Sequence, residues 1–261
     1  MTVMQIGDVE INVRQWGGGE TVFLVHGLGA CSGLWINQIP VLSPHYHVVA
    51  IDLRGFGRSA KPQIREAYSI EQMADDVIGV CAALDITSIH YLGVSMGGFI
   101  GQVVALKAPE LCRSLILGHT ACEFGIPADI LKIRMAALDS TSMDEYAKLV
   151  AAQALAQPPA PIVEEWLCEM IADNDLEAYK YVLAGALAEF DVSDQVGSIE
   201  QPTLIISGSD DRVIPPEKGA SLDQHMRNSE YVLVDGVGHI GYAEKPDIFN
   251  QHVTAFLARQ S

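Results

Sequence analysis

The sequence predicts an α/β fold: a sheet with helices on both sides, interrupted by one helical insertion. Three observations carry this. Short apolar runs of strand length recur along the chain. Helical patterns separate most of them, as in a parallel sheet with crossover helices. One long stretch after residue 120 is helical in pattern and contains no convincing strand.

Taken in order, residues 9–15 alternate and then meet Gly17-Gly18-Gly19, which reads as an antiparallel edge strand running into a turn. Thr21–Val25, His47–Ile51, 89–93, 115–117, 203–207 and 231–234 are continuous apolar runs. Such runs suit strands buried on both faces of a parallel sheet. A helix is expected over 70–84, with Ser69 as N-cap and Gln72 three residues on. Two more are expected over 96–108, stopped by Pro109, and over 248–258. Within the insertion, helices are expected at 146–156, 163–172 and 176–190, with a break at Pro158-Pro159-Ala160-Pro161. The expected organisation is a core of residues 1–120 and 196–261, with residues 121–195 as a helical cap over the sheet edge.

The chain has 261 residues, 49% of them hydrophobic and 19% charged, with mean hydropathy +0.21. That is ample for a buried core and excludes global disorder. Sixteen basic against 33 acidic residues give a net charge of −17. A nucleic-acid partner is excluded, because phosphates need basic patches, and an anionic membrane surface would repel the chain. The charge is uneven: residues 121–200 hold 15 acids and 4 bases. No signal-peptide pattern and no transmembrane run is expected. The five cysteines are scattered, with no C-x-x-C pair, as for free thiols in a reducing cytoplasm. The expected location is cytoplasmic, and the chain could be a monomer or a homo-oligomer.

Gly93-Val94-Ser95-Met96-Gly97-Gly98 joins the strand at 89–93 to the helix at 96–108. This is G-x-S-x-G in its strand–turn–helix setting. The sharp reversal holds Ser95 in a strained backbone conformation, and the glycines remove side chains that would block it. The hydroxyl then stands at the carboxyl edge of the sheet, where open α/β sheets bind ligands.

A serine hydroxyl needs a base. Of eight histidines, His239 is the candidate, because it lies in a glycine-rich loop after the last strand. A carboxylate must orient it. Asp210 and Asp211 are adjacent in the turn after the strand at 203–207; Asp211 is the candidate by its position between Gly208 and Pro215, with Asp210 the alternative. The chain order Ser, Asp, His fits the α/β-hydrolase arrangement. Oxyanion donors are expected from the backbone amides of Met96 and of Leu28, in His26-Gly27-Leu28-Gly29. His26 is expected to hold that loop rather than to carry protons.

With His26-Gly27, Asp52-Leu53-Arg54-Gly55-Phe56-Gly57-Arg58-Ser59, Gly93–Gly98, Asp210-Asp211 and Gly238-His239 assembled, nearly the whole chain resembles the α/β-hydrolase superfamily. The resemblance implies a mostly parallel eight-stranded sheet with a helical cap, and a serine hydrolase with a Ser-His-Asp triad. The stretch 68–109 is similar to the 3-oxoadipate enol-lactonase and carboxylesterase branch. The turn Asp211-Arg212-Val213-Ile214-Pro215 is equally similar to that of the meta-cleavage C–C hydrolases. The expected activity is therefore cofactor-free hydrolysis of a carboxylic ester or lactone, a small-molecule substrate. C–C bond hydrolysis, a perhydrolase or haloperoxidase-like activity, and a hydrolase-derived ligand receptor are the alternatives. No metal site is expected, since no metal-ligand spacing occurs.

Candidate substrate contacts are Gly27, His119, Phe124, Lys132, Arg134 and Trp166. The acidic insertion favours an uncharged substrate over an anionic one, unless Lys132 or Arg134 faces inward.

Overall fold

A computed structural model describes residues 2–260. Eight strands form one sheet in the order β1-β2-β4-β3-β5-β6-β7-β8. They are β1 (Thr2–Ile6), β2 (Val9–Trp16), β3 (Thr21–Val25), β4 (His47–Ile51), β5 (Ile89–Val94), β6 (Cys112–Gly118), β7 (Thr203–Gly208) and β8 (Ser229–Val234). From β4 through β8 all neighbours are parallel. β1 pairs antiparallel with β2, and β2 antiparallel with β4.

β2 is therefore not an edge strand. Its hairpin partner precedes it across Gly7-Asp8, with Ile6 opposite Val9 and Gly7 at φ 56°. β1 is mostly exposed and lacks the apolar run that marks the others. Its place comes from pairing, which composition does not report.

Side chains alternate across β3. Phe23 and Val25 join one core layer, while Val22 and Leu24 join the layer on the opposite face. The first layer is closed by the helices Ile70–Ala83 and Met96–Lys107, the second by Pro246–Leu257. Ser69 caps the helix Ile70–Ala83 by accepting from the Gln72 amide at 3.1 Å. Burial on both faces explains why β3, β5 and β7 are apolar without alternation.

Between β6 and β7 stand Ala128–Ser140, Met143–Ala154, Pro161–Ala172 and Leu176–Tyr181. The first of these is absent from the helices expected by sequence. The pattern at 176–190 divides, because Val182–Leu187 is a π-helical turn. Ser142 and Glu145 form a capping box that starts Met143–Ala154. Among the described residues, no helix is long and apolar enough to cross a membrane.

Candidate active site

Ser95 has φ 55° and ψ −121°, in the sharp turn between β5 and the helix Met96–Lys107. Such backbone strain costs of order 1–3 kcal/mol and persists only where the surroundings enforce it. Here the Ser95 amide donates to the Gly118 carbonyl at 2.9 Å, and its carbonyl accepts from Thr120 Oγ1 at 3.0 Å. A Cβ on Gly97 would lie 2.2 Å from the Val25 carbonyl oxygen, and one on Gly93 would lie 2.3 Å from that of Gly97. The two glycines let strand and helix approach closely enough to present the hydroxyl.

His239 arrives on the loop after β8. Its Nε2 is 2.9 Å from Ser95 Oγ, and its Nδ1 is 2.8 Å from Asp211 Oδ2. An ionised carboxylate only accepts, so Nδ1 carries the proton and Nε2 accepts from the serine hydroxyl. Asp211 is buried, and its Oδ1 accepts from the Val213 and Ile214 amides at 2.9 and 2.8 Å. Burial alone would raise the Asp211 pKa. The facing His239 ring and the hydrogen bonds from His119 and His239 outweigh it and hold the carboxyl well below its usual range. Asp210 is exposed and accepts from the Ser209 hydroxyl; the neighbouring side chains diverge.

The His26 loop sits beside this group. His26 is buried, donates from Nδ1 to the Gly27 carbonyl at 2.7 Å, and accepts at Nε2 from the Leu53 amide at 2.9 Å. Its hydrogen-bonding capacity is thus used in holding the loop. A Cβ on Gly27 would lie 3.0 Å from that of Ser95, so Gly27 borders the serine. Asp52 accepts from the Ser32 and Arg58 amides and from Asn12 Nδ2, which fixes the Asp52–Ser59 turn. Met96 opens a helix, where its N–H has no helical acceptor.

Ser95 and His239 open into a cavity of about 390 Å³, whose wall includes Leu28, Phe99, Phe124, Arg134 and Tyr179. Phe124 and Arg134 are on that wall, and the other four sequence-derived contacts are not. Gly27 lies beside Ser95 without lining the cavity. Lys132 is exposed, one residue before Ile133 and two before Arg134, which both line the cavity. Trp166 packs against the second core layer. His119 is buried behind Asp211, its Nδ1 3.4 Å from Oδ2. Ending a strand at the carboxyl edge places His119 near the site but does not fix which side of the carboxylate it occupies.

Sequence reasoning misses Glu244 and Arg212. Glu244 accepts from the Gly238 amide at 2.8 Å and from the Ala156 amide at 2.7 Å. Arg212 donates to the Ala152 and Leu155 carbonyls, and the His239 amide donates to Ala154. The end of the insertion helix Met143–Ala154 is thereby stitched to the histidine loop. These contacts join residues far apart in sequence: Arg212 stands in the Asp211–Pro215 turn, whose pattern gives it no role of its own, and Glu244 stands in no motif. Among the described residues, His119, Asp211 and His239 have metal-ligand spacing, but their donor atoms already serve the hydrogen bonds above.

The alpha/beta hydrolase fold family profile matches residues 20–159, and that of the TAP-like proteins residues 185–261. The chain is 30% identical to a "Putative carbamate hydrolase RutD" of Agrobacterium fabrum, covering 95% of this chain and 97% of that one. It is also 30% identical to 3-oxoadipate enol-lactonase 2 of Acinetobacter baylyi, over 97% of this chain and 94% of that one. The crystal structure of the enol-lactonase from Burkholderia xenovorans superposes with a TM-score of 0.92 at 27% identity, covering 98% and 100% of the two chains. With the eight-stranded, mostly parallel sheet and these likenesses over nearly its full length, the chain belongs to the alpha/beta hydrolase fold family and is a hydrolase.

Proposed function

We propose that the protein hydrolyses a carboxylic ester or lactone through a covalent acyl-enzyme, without a cofactor. The observation that carries this is the continuous Ser95–His239–Asp211 hydrogen-bond chain, at 2.9 and 2.8 Å, opening on an apolar cavity. Ser95 Oγ attacks the carbonyl carbon while His239 Nε2 takes its proton. The Leu28 and Met96 amides receive the developing oxyanion. As the tetrahedral intermediate collapses, the carbon–oxygen bond to the leaving group breaks, and His239 returns the proton to that oxygen. Water, deprotonated by His239, then attacks the acyl carbon and restores Ser95. Asp211 holds the imidazole in the required tautomer and balances its charge. Residues 121–195 act as the cap that shapes the acyl pocket.

The test is active-site labelling. A fluorophosphonate should label Ser95, and Ser95→Ala should lower kcat for p-nitrophenyl acetate by about 10⁴-fold or more. Unchanged turnover in that variant would rule the mechanism out. Carbamate hydrolysis is the second reading, supported by the 30% identical relative bearing that name. The tetrahedral chemistry is shared, so matched carbamate and ester substrates separate the two by relative kcat/KM.

A further inference from the structure

The insertion is rich in acids, and the bases around it are mostly accounted for. Lys180 pairs with Asp139 and Glu177, and Lys218 pairs with Glu123. Lys148 lines a separate acidic groove with Glu164 and Glu165. Arg134 differs. It is half-buried on the wall of the Ser95 cavity, and among the described residues no ion pair or hydrogen bond holds it.

Its own helix offers no counter-ion. The positions three and four residues away are Ile130, Leu131, Ala137 and Leu138, the places from which a helical acid would reach it. Among the described residues, no Asp or Glu lines the cavity. The polar groups near Arg134 are the Tyr146 and Tyr179 hydroxyls: burial pushes both tyrosines up, and the Arg134 charge pulls both down. A guanidinium facing a largely apolar cavity loses hydration with no anion in return. Its planar fork suits bidentate carboxylate recognition.

We propose that Arg134 binds a carboxylate on the substrate, so that the natural substrate is an ester or lactone bearing a free carboxylate remote from the scissile carbonyl. This rests on the serine-hydrolase reading of the same cavity. Ser95 comes from the sheet edge and Arg134 from the insertion, so one ligand spanning the cavity meets both. The acidic surface of the insertion, which argues against anionic substrates by charge alone, does not extend into the cavity.

The test compares mono-p-nitrophenyl esters of succinate, glutarate and adipate with their methyl-capped counterparts. In the native protein, at least one free acid should exceed its capped form in kcat/KM by about tenfold or more, the range of a charged hydrogen bond. Arg134→Met should erase that ratio through KM, Arg134→Lys should restore part of it, and Lys132→Met should leave it unchanged. A ratio below one for all three acids, or one unmoved by Arg134→Met, overturns the proposal. Glutarate binding gives a readout that needs no turnover. The free diacid should raise the melting temperature of the native protein and of Ser95→Ala, but not of Arg134→Met. If no ester is turned over, the hydrolase reading fails alone, and the glutarate shift still decides the role of Arg134: its absence from both native protein and Ser95→Ala, or its persistence in Arg134→Met, overturns the proposal.

Discussion

His119 and His239 share one carboxylate oxygen. Asp211 Oδ2 lies 2.8 Å from His239 Nδ1 and 3.4 Å from His119 Nδ1. The Gly241 amide donates to His119 Nε2 at 3.2 Å, which makes Nε2 the acceptor and leaves the proton on Nδ1. His119 is thus held as a neutral donor toward Asp211, and burial lowers its pKa. A Cβ on Gly241 would stand 2.8 Å from that Nε2, so the glycine is what lets the backbone reach the ring.

This makes His119 a positioning residue. His119→Phe keeps the ring volume and removes both bonds. A lost donor to a charged group costs about 1.5 kcal/mol at the low end, roughly tenfold in rate. The expected result is a kcat about tenfold lower with KM nearly unchanged, in protein that remains folded by circular dichroism. A change confined to KM would return His119 to substrate binding.

Much of this site is legible in the chain itself. Ser95, Asp211 and His239 each follow a strand, in loops whose glycine and proline residues mark them, so local signals suffice. Phe124 reaches the cavity from the segment before the helix Ala128–Ser140. Arg134 faces the cavity while Lys132 faces solvent, and that depends on the phase of this helix. Its apolar residues form no clear stripe, because one side faces a cavity rather than a core. β1 is invisible for a related reason: with little burial, its strand identity comes from hydrogen bonds to β2. Glu244 and Arg212 act on backbone groups, which leave no trace in composition.

Gly97 tests the tightness of the serine turn. The Cβ of Gly97→Ala would meet the Val25 carbonyl at 2.2 Å and the His26 carbonyl at 2.9 Å. Both are backbone atoms, and the Val25 contact lies in a central strand with no room to yield. Overpacking typically costs about 1–3 kcal/mol and can cost more where backbone must move. Gly97→Ala is expected to melt well below the native protein and to lose fluorophosphonate labelling of Ser95. A native melting temperature with normal labelling would mean that the turn is more yielding than its geometry implies.

Arg54 and Asp76 form a buried pair, joined at 2.7 Å through both guanidinium Nε and Nη2. Burial raises Asp76, and the Arg54 hydrogen bonds and charge oppose that rise. Arg54→Met leaves the carboxylate without its partner, at an expected cost of about 3–5 kcal/mol. The sign with pH follows. Without Arg54, native Asp76 holds its proton to higher pH than the unfolded chain does, so the variant's deficit shrinks on acidification. Urea melts of both proteins at neutral and mildly acidic pH measure this; a deficit independent of pH would assign the cost to packing instead.

His26 and His119 set a second pH window. Burial lowers both below the ordinary value of 6.5 in the folded protein. Each ring uses one nitrogen as an acceptor, from the Leu53 amide for His26 and from the Gly241 amide for His119, so protonation breaks a hydrogen bond. Below about 6.5 the unfolded chain binds protons that the native rings refuse, and unfolding free energy falls as pH drops. Stability from these groups is complete above that value and declines as pH falls from it toward the native pKa values. Asp211 acts separately: its lowered pKa makes its contribution complete above the ordinary 3.8 and lost only below it. The melting temperature should therefore start to fall between pH 7 and 5, before the carboxylate titrates. His26→Gln should reduce that slope by about one proton's share, and a slope identical to the native one would place the acid sensitivity elsewhere.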